Sequence, residues 1–465
     1  MARLNTPYTN PPWPHHMQYH QLAVALTEGR VSIEVGAEEI LSALSNPYDT
    51  GLRDAVLGTD PGWDTAYYQG KFYVYFGIVP VLFFYLPYYV LFHRAFPTWL
   101  GIVLTGAMLL AGAFYLVYQL IKNYFPKTPF VLYLLLSLML GNGVGTIPIM
   151  LRPDYYSLPI LCAICLTVWG LGFWVKALSM WKKPEEQSGR FRMIPYLFGG
   201  SLCLALTAGC RPQFLVGTFL LIPLCWQQVQ KVLAENRIRS KNIPYMAAVL
   251  LPYLAVAMGL MYYNFIRFDS VFDFGANYNL TTNDMTHREV SLGRLPDGIF
   301  LYLFQFPDIG LQFPFVNNVP LHSGYTGLTI RELMFGGIFF THIFLCVLFL
   351  LRSVRGQLAS KGLYGMSVGC VLAGIIIVMA DTEMAGILSR YYADFLWVFS
   401  LAAILVFLQL WENASEAISG KRLTFFLLAG GICGLFMDCC IGIVAGNLQT
   451  NNAHLFYILK TLLTI

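Results

Sequence analysis

About ten stretches of this sequence are apolar over roughly the length of a membrane-crossing helix, and they constrain the fold more than any other feature. They occupy residues 98–121, 128–150, 155–179, 193–210, 213–227, 244–264, 332–351, 363–380, 392–411 and 423–446. Only 12% of the residues are charged, whereas a soluble domain has about 25%. So few charged groups cannot cover a globular surface. The sequence therefore predicts an all-α, polytopic transmembrane helix bundle of about 10–11 membrane helices, with short interfacial helices in its external loops.

A further apolar block, residues 72–92, contains Pro80 and Pro87 and has tyrosine-rich ends. A helix that lies at the membrane interface fits this block as well as a membrane span does. The chain then divides into an external loop region with short amphipathic helices (1–71), an interfacial or re-entrant helix (72–92), transmembrane helices (93–264), a long external loop (265–330), transmembrane helices (331–446) and an external C-terminal tail (447–465).

Lysine and arginine residues are concentrated in four short connections, and their placement predicts the orientation of the helices. These connections are residues 182–192, 231–241, 352–361 and 421–422. Because positively charged loops stay on the cytoplasmic side, the helices between them alternate in direction. Residues 265–330 and the C-terminal tail are then external.

Cationic side chains gather at the helix ends that this topology places on the outer face. Lys71, Arg152, Arg211 and Arg390 could together hold a phosphate, arginine through paired hydrogen bonds and lysine as a point charge. An arginine at a helix end about as often reaches to lipid headgroups, and a lysine there often serves as an interfacial anchor. Arg211 stands apart because it interrupts the apolar run 193–227, where a charge indicates function by default.

Several classes of protein are disfavoured by motifs that the sequence lacks. It has no P-loop, GxSxG elbow, HExxH helix or GxGxxG loop, so ATP-driven transport and serine hydrolysis lose support. No cluster of basic and aromatic residues suggests a nucleic-acid partner. No metal site is predicted, and the ten cysteines lie almost wholly inside apolar blocks, where packing explains them.

Four segments resemble a known superfamily: "WDTAYYQGKFYVYFGIVPVLFFYLPYY", "YYNFIRFDSVFDFGANYNLT", "LFQFPDIGLQFPFV" and "SRYYADFLWVFSLAAIL". Together they resemble GT-C-type glycosyltransferases, the superfamily of protein mannosyltransferases and aminoarabinose transferases, over residues 40 to 410. The resemblance implies transfer of a sugar from a polyprenyl-phosphate donor to a glycan, lipid or protein of the cell envelope. The reaction would take place at the outer face of the bacterial plasma membrane, among membrane lipids and without nucleic acid.

The same resemblance implies the chemistry of the site. A carboxylate in the first external loop acts as the general base on the acceptor hydroxyl, and cationic residues bind the phosphate of the carrier. The displacement inverts the sugar and needs no organic cofactor, although it leaves room for a divalent cation. An interfacial helix follows the first external loop in this superfamily, which favours an external position for residues 1–71.

The sequence departs from the superfamily in its first 71 residues. The transmembrane helix that precedes the first external loop has no counterpart there, and "WPHHMQYH" replaces the usual acidic pair. We therefore look for the base among Asp64, Asp54 and Asp49, with Asp64 the first choice. An acidic residue in a loop is more often simply solvated than catalytic. The phosphate-binding candidates are Lys71, Arg211, Arg390 and Arg152.

Two other functions remain open at the level of sequence. One is a flippase or transporter of lipid-linked saccharides, which predicts internal repeats and charges near the middle of the membrane. The other is a non-catalytic scaffold of GT-C type. We find no repeat, and the charges gather toward one face, which favours the enzyme.

Overall fold

The structure of the protein, a computed structural model, describes residues 17–58, 62–181, 191–234, 242–281, 283–287, 289–319, 333–384, 386–414 and 418–464. Its α-helices, numbered in chain order, are α1 (Gln18–Thr27), α2 (Glu38–Ser42), α3 (Thr50–Leu57), α4 (Leu86–Phe92), α5 (Thr98–Tyr124), α6 (Phe130–Asn142), α7 (Thr146–Met150), α8 (Ser157–Trp181), α9 (Ile194–Leu206), α10 (Val216–Phe219), α11 (Leu221–Ala234), α12 (Ile243–Phe268), α13 (Leu295–Ile299), α14 (Ile338–Thr341), α15 (Arg355–Ser360), α16 (Tyr364–Met384), α17 (Tyr392–Ala414), α18 (Ile418–Ala445), α19 (Leu448–Asn451) and α20 (Ala453–Leu463). Four short strands are β1 (Ala66–Tyr68), β2 (Lys71–Tyr73), β3 (Asp308–Ile309) and β4 (Val316–Asn317).

Among the described residues, six helices are long and apolar enough to cross a membrane: α5, α8, α12, α16, α17 and α18. Helix α5 packs on α8, α8 on α9, and α9 on α12, while α16 packs on α17. The most apolar stretch of α17 is 94% buried, against 11% for α12. Helix α17 is thus the central helix, and α12 turns most of its surface toward lipid. The predicted multi-pass helical fold is confirmed.

Some predicted apolar runs fold into shorter pieces than single spans. Residues 128–150 form α6 and α7, which are separated at Gly145, a residue with φ of +73°. Residues 213–227 form a 3₁₀ turn at Pro212–Leu215, then α10 and the start of α11. Residues 332–351 give α14 followed by a 3₁₀ helix, Ile343–Leu350. Glycine divides the first run, while Pro212 directly precedes the second and Pro223 lies within it, and neither residue type supports an uninterrupted α-helix. The third run changes from α to 3₁₀ at His342, and no proline or glycine explains that change.

Two of the basic connections, 182–192 and 231–241, fall largely outside the described residues. The other two begin at Arg352 and Lys421. The assignment of these connections to the cytoplasm stays a prediction from the charge distribution.

Residues 72–92 do not form one long helix. A π-helical turn, Val81–Tyr85, leads into α4, and together they are shorter than the about 20 residues that a span requires. Their inner side packs on α1, where the rings of Tyr19 and Tyr85 meet edge to face at 5.3 Å. The outer side exposes Leu91 and Phe92. An exposed apolar face on so short a helix is typical of a position at the membrane interface.

The segment before α5 and the segment after α12 join at one end of the bundle. Ala66 pairs with Asn279 as an isolated bridge, and the Leu280 carbonyl accepts a hydrogen bond from the Asp64 backbone at 2.9 Å. The fully buried Arg53 donates to the Thr281 carbonyl at 2.6 Å. Strands β1 and β2 form a hairpin whose two turn residues, Gln69 and Gly70, both have positive φ, as a type I′ turn requires.

Gly77 lies where the chain passes from β2 toward the π-helical turn, against the break after α9. A Cβ atom there would be 2.2 Å from the backbone oxygens of both Gly209 and Cys210. No side-chain rotation relieves a clash with backbone atoms, so the two segments would have to separate.

We predict that Gly77→Ala destabilises the protein by about 1–3 kcal/mol through overpacking. The loss of stability is measured as a fall in the apparent melting temperature of the purified variant in detergent. Gly259→Ala is the matched control, because a Cβ at this lipid-facing helical position meets nothing within 4 Å. Equal melting temperatures for the two variants would contradict the prediction.

Candidate active site

A cavity of about 790 Å³ opens where the ends of several spanning helices meet the segment before α4 and the segment after α12. Its wall is built from residues 75–78, the break at 208–213, the C-terminal turns of α12 and α16, the start of the segment that leads into α17, and the loop after α12. Asp64, Arg211 and Arg390, which are far apart in the sequence, all line it.

Asp64 is held in place by the junction between the segment before α4 and the segment after α12. Its backbone has φ of +56°, a left-handed conformation that aspartate tolerates better than most residues. The side chain is 5% exposed. Its Oδ2 accepts a short hydrogen bond from the Tyr156 hydroxyl, and its Oδ1 accepts one from Asn279 Nδ2 at 3.1 Å. These two hydrogen bonds fix the orientation of the carboxylate in the cavity wall.

Tyr156 connects Asp64 to Arg390. The Arg390 guanidinium lies over the Tyr156 ring at 4.2 Å, and the Tyr155 hydroxyl donates to that of Tyr156 at 2.6 Å. Burial, together with the negative charge of Asp64, raises the pKa of Tyr156 well above its usual range. The phenol therefore stays protonated and acts as a hydrogen-bond donor to the carboxylate.

Arg211 is held by a buried aspartate from α17. Its Nη2 lies 2.9 Å from Asp394 Oδ2, and Gln213 Nε2 donates to the same oxygen at 3.2 Å. The guanidinium also lies over the Tyr391 ring at 4.9 Å. Asp394 is fully buried, so this ion pair is shielded from solvent and its charges offset one another locally.

Arg267 is a third arginine in the wall, and the sequence analysis did not single it out. It lies on the last turn of α12 and donates to the Val74 carbonyl and to Asn264 Oδ1, both at 2.8 Å. Within the described part of the chain it has no ion-pair partner. Its positive charge is held by neutral acceptors and by the rings of Tyr263 and Phe268.

Two further carboxyl groups line the cavity: Asp273, in the loop after α12, and Asp381, on the last turn of α16. Asp381 is 6% exposed, and its Oδ2 has no hydrogen-bond partner among the described residues. The Oδ1 atom of Asp394 is likewise without a partner there.

Four of the candidate residues lie outside this wall. Asp49 is the N-cap of α3, where its side chain accepts from the Leu52 backbone at 3.1 Å. Asp54 is exposed on the same helix. Lys71 is exposed beside the hairpin turn, because the hairpin directs it away from Asp64. Arg152 pairs with Asp154 at 3.0 Å.

Sequence reasoning missed Arg267, Asn279 and Asp394 as lining or supporting residues. Arg267 follows the apolar run 244–264, and Asp394 lies near the start of the run 392–411, so a charge at the end of a run is the only available signal. The role of Asn279 depends on a pairing between residues more than 200 positions apart, which no local pattern reveals. Among the described residues, no group of three His, Cys, Asp or Glu side chains is arranged to hold a metal ion.

No protein-family model and no curated protein sequence matches the chain. The oligosaccharyltransferase of Archaeoglobus fulgidus, solved in its apo form, is similar over 95% of this chain and 52% of its own, with a TM-score of 0.50 and 12% identity. ArnT from Cupriavidus metallidurans, solved with undecaprenyl phosphate, aligns with 95% of this chain and 74% of its own at a TM-score of 0.40 and 10% identity. Both are members of the GT-C superfamily.

The chain has a GT-C-type fold. The resemblance seen in the sequence is thus confirmed at the level of the fold. The chain spans about half the length of the archaeal oligosaccharyltransferase. In this GT-C-type fold the cavity lies between the segments before α4 and after α12 and the ends of the spanning helices.

We predict that Arg211→Gln lowers stability by about 3–5 kcal/mol, because it leaves the buried Asp394 carboxylate without its cation. The double variant Arg211→Gln/Asp394→Asn should recover part of that loss. The measurement is the apparent melting temperature of each purified variant in detergent.

Arg30→Gln is the control. The ion pairs of Arg30 with Glu28 and Glu34 are exposed, so their loss should change the melting temperature very little. A double variant that is less stable than Arg211→Gln by the full additive amount would show that the pair does not act as a unit.

Proposed function

We propose that the protein is a membrane glycosyltransferase that moves a sugar from a polyprenyl-phosphate donor to an acceptor in the bacterial cell envelope, at the outer face of the plasma membrane. The observation that carries this proposal is the convergence of Asp64, Arg211 and Arg390 in one cavity of a GT-C-type fold. A carboxylate and guanidinium groups at the end of a membrane bundle suit the transfer of a group from a lipid phosphate.

Asp64 is the proposed general base. It lines the cavity, and the hydrogen bonds that it accepts from Tyr156 and Asn279 fix the orientation of its carboxylate. A positioned base contributes about 10²–10⁴ in rate when it removes a proton in the transition state.

The proposed step is a single displacement. Asp64 takes the proton of the acceptor hydroxyl as that oxygen forms its bond to the anomeric carbon of the sugar. The bond between the anomeric carbon and the phosphate oxygen breaks, and its electron pair leaves with the polyprenyl phosphate. One displacement inverts the configuration at the anomeric carbon. The leaving phosphate is already activated, so the step needs no nucleotide.

Arg390 and Arg267 are the proposed phosphate-binding groups. The charge of Arg211 is largely offset by Asp394, whereas Arg267 is held by neutral acceptors. Guanidinium groups bind phosphate oxygens through paired hydrogen bonds and stabilise the charge that develops as the phosphate departs.

Apolar side chains beside the charged ones support a lipid-linked donor. Leu260 on α12 and Met384 at the end of α16 line the same cavity. Helix α12 also exposes Leu254 and Met258 toward lipid. A ligand with a charged head and a hydrocarbon chain could place the head in the cavity and the chain along these helices.

We predict that Asp64→Asn lowers sugar transfer by about 10²–10⁴-fold, because asparagine cannot take the proton. The assay supplies radiolabelled polyprenyl-phosphate sugars to membrane vesicles and measures label in the acceptor fraction. Asp54→Asn, an identical change at an exposed position outside the cavity, should leave transfer unchanged.

Normal transfer by Asp64→Asn would rule out Asp64 as the base. Movement of the labelled lipid between leaflets, with no transfer by the wild type, would instead support the flippase. Neither activity in the wild type would favour a scaffold.

We also predict that Arg390→Gln raises the KM for the donor, whereas Arg390→Lys has a smaller effect because it keeps the charge but loses the paired hydrogen bonds. Steady-state kinetics at varied donor concentration give the comparison. Arg355→Gln, at an exposed arginine outside the cavity, is the control. An unchanged donor KM in Arg390→Gln would contradict a role in phosphate binding.

A further inference from the structure

The end of the cavity around Arg211 contains two buried carboxyl groups, those of Asp394 and Asp381. Arg211 pairs with Asp394 at 2.9 Å, whereas no cationic side chain among the described residues lies within ion-pair distance of Asp381. Arg390 also lies nearby, but its guanidinium covers Tyr156, whose hydroxyl donates to Asp64. Among the described residues, Asp381 is therefore the carboxyl group at this end that no guanidinium group contacts directly.

Two carboxylate oxygens at this end have no hydrogen-bond donor within the described part of the chain: Oδ2 of Asp381 and Oδ1 of Asp394. Both residues are more than nine-tenths buried, and Asp381 lines the cavity directly. A buried carboxylate oxygen without a donor is costly, so such a group in a binding cavity indicates that a ligand supplies the donor.

The donor phosphate is a poor candidate for this position. A phosphate carries negative charge and, in this environment, has no hydrogen to donate. At Arg211 the phosphate would lie beside both Asp394 and Asp381. Arg211 already pairs with Asp394, so it would not offset repulsion between the phosphate and Asp381. The phosphate is better placed toward Arg390 and Arg267. The sugar attached to it then extends toward Asp381.

We propose that Asp381, supported by the Arg211–Asp394 pair, is a specificity-determining residue that accepts hydrogen bonds from the sugar of the donor. The sugar it selects is uncharged or cationic, with a hydroxyl or ammonium group directed at the carboxylate, and anionic sugars are excluded. This inference rests on the proposed function, since it assigns the sugar end of the same cavity.

The matched ligands for a test are polyprenyl-phosphate glucose and polyprenyl-phosphate glucuronic acid, which differ only in the oxidation of one carbon. Polyprenyl phosphate without a sugar is the third ligand. Binding of each to the purified full-length protein in detergent is measured by the ligand-dependent shift in melting temperature and by displacement of a radiolabelled lipid.

The wild type should bind the glucose lipid at least tenfold more tightly than the glucuronic acid lipid, because a carboxylate on the sugar would face Asp381. Hydrogen bonds to a charged group are strong, so Asp381→Asn should weaken binding of the glucose lipid by about 10- to 100-fold. The same variant should also reduce the difference in affinity between the glucose lipid and the glucuronic acid lipid. The affinity of Asp381→Asn for polyprenyl phosphate without a sugar should equal that of the wild type. A variant with a general structural defect would instead lose affinity for this lipid as well.

Asp308→Asn, on the exposed strand β3, is the control and should behave as the wild type. Equal binding of the two sugar lipids by the wild type overturns the inference without any variant, so a folding defect in Asp381→Asn cannot hide the answer. If the wild type binds polyprenyl phosphate and Asp64→Asn abolishes transfer, but Asp381→Asn changes nothing, the inference fails and the proposed function stands. If the wild type binds none of the three lipids, both fail.

Discussion

The backbone pairing of residues 64–66 with residues 279–280 is the contact on which the cavity depends. It joins two segments that are separated by more than 200 residues and by the long helices α5, α8 and α12. Without it, Asp64 would belong to a solvated loop. With it, the carboxylate is fixed over the helix ends, and Asn279 from the partner segment donates to it directly. Arg53, fully buried, strengthens the same junction through the Thr281 carbonyl. The position of the proposed base is thus a consequence of tertiary pairing between loops rather than of either loop alone.

The arginine side chains of the cavity wall are stabilised by specific partners. Arg211 has Asp394, and Arg267 has a carbonyl and an amide oxygen. Desolvated charges with good partners are stable, but removal of one partner leaves the other buried and uncompensated. The exceptions inform most about function. The oxygens of Asp381 and Asp394 that have no donor among the described residues belong to carboxyl groups near Arg211, whereas Arg267 is held by neutral acceptors. The region of one cavity thus contains carboxyl oxygens that can accept from a ligand and a guanidinium group with no ion-pair partner among the described residues.

The sequence was sufficient to predict the fold class, because long apolar runs permit few alternatives to a helix bundle. The alternation of helix direction also anticipated that Arg211 and Arg390 would meet Asp64, although they are far apart in the chain. Local sequence patterns did not predict side-chain positions that depend on tertiary packing. Lys71 lies only seven residues after Asp64, yet the type I′ hairpin turns it outward. Asp394 follows Arg390 by one helical turn, but its pairing with Arg211 depends on how α17 packs against the break after α9. Apolar runs such as 213–227 predicted a single helix, and proline and glycine divided it.

The short helix formed by Val81–Phe92 packs on α1, where the rings of Tyr19 and Tyr85 meet. Ala66 pairs with Asn279, so the segment before this helix and the segment after α12 lie together at one end of the bundle. The cavity is built by these segments on one side and by the ends of α12 and α16 on the other. Gly77 lies against the backbone after α9 and lets the two parts approach each other, because a Cβ atom there would force them apart.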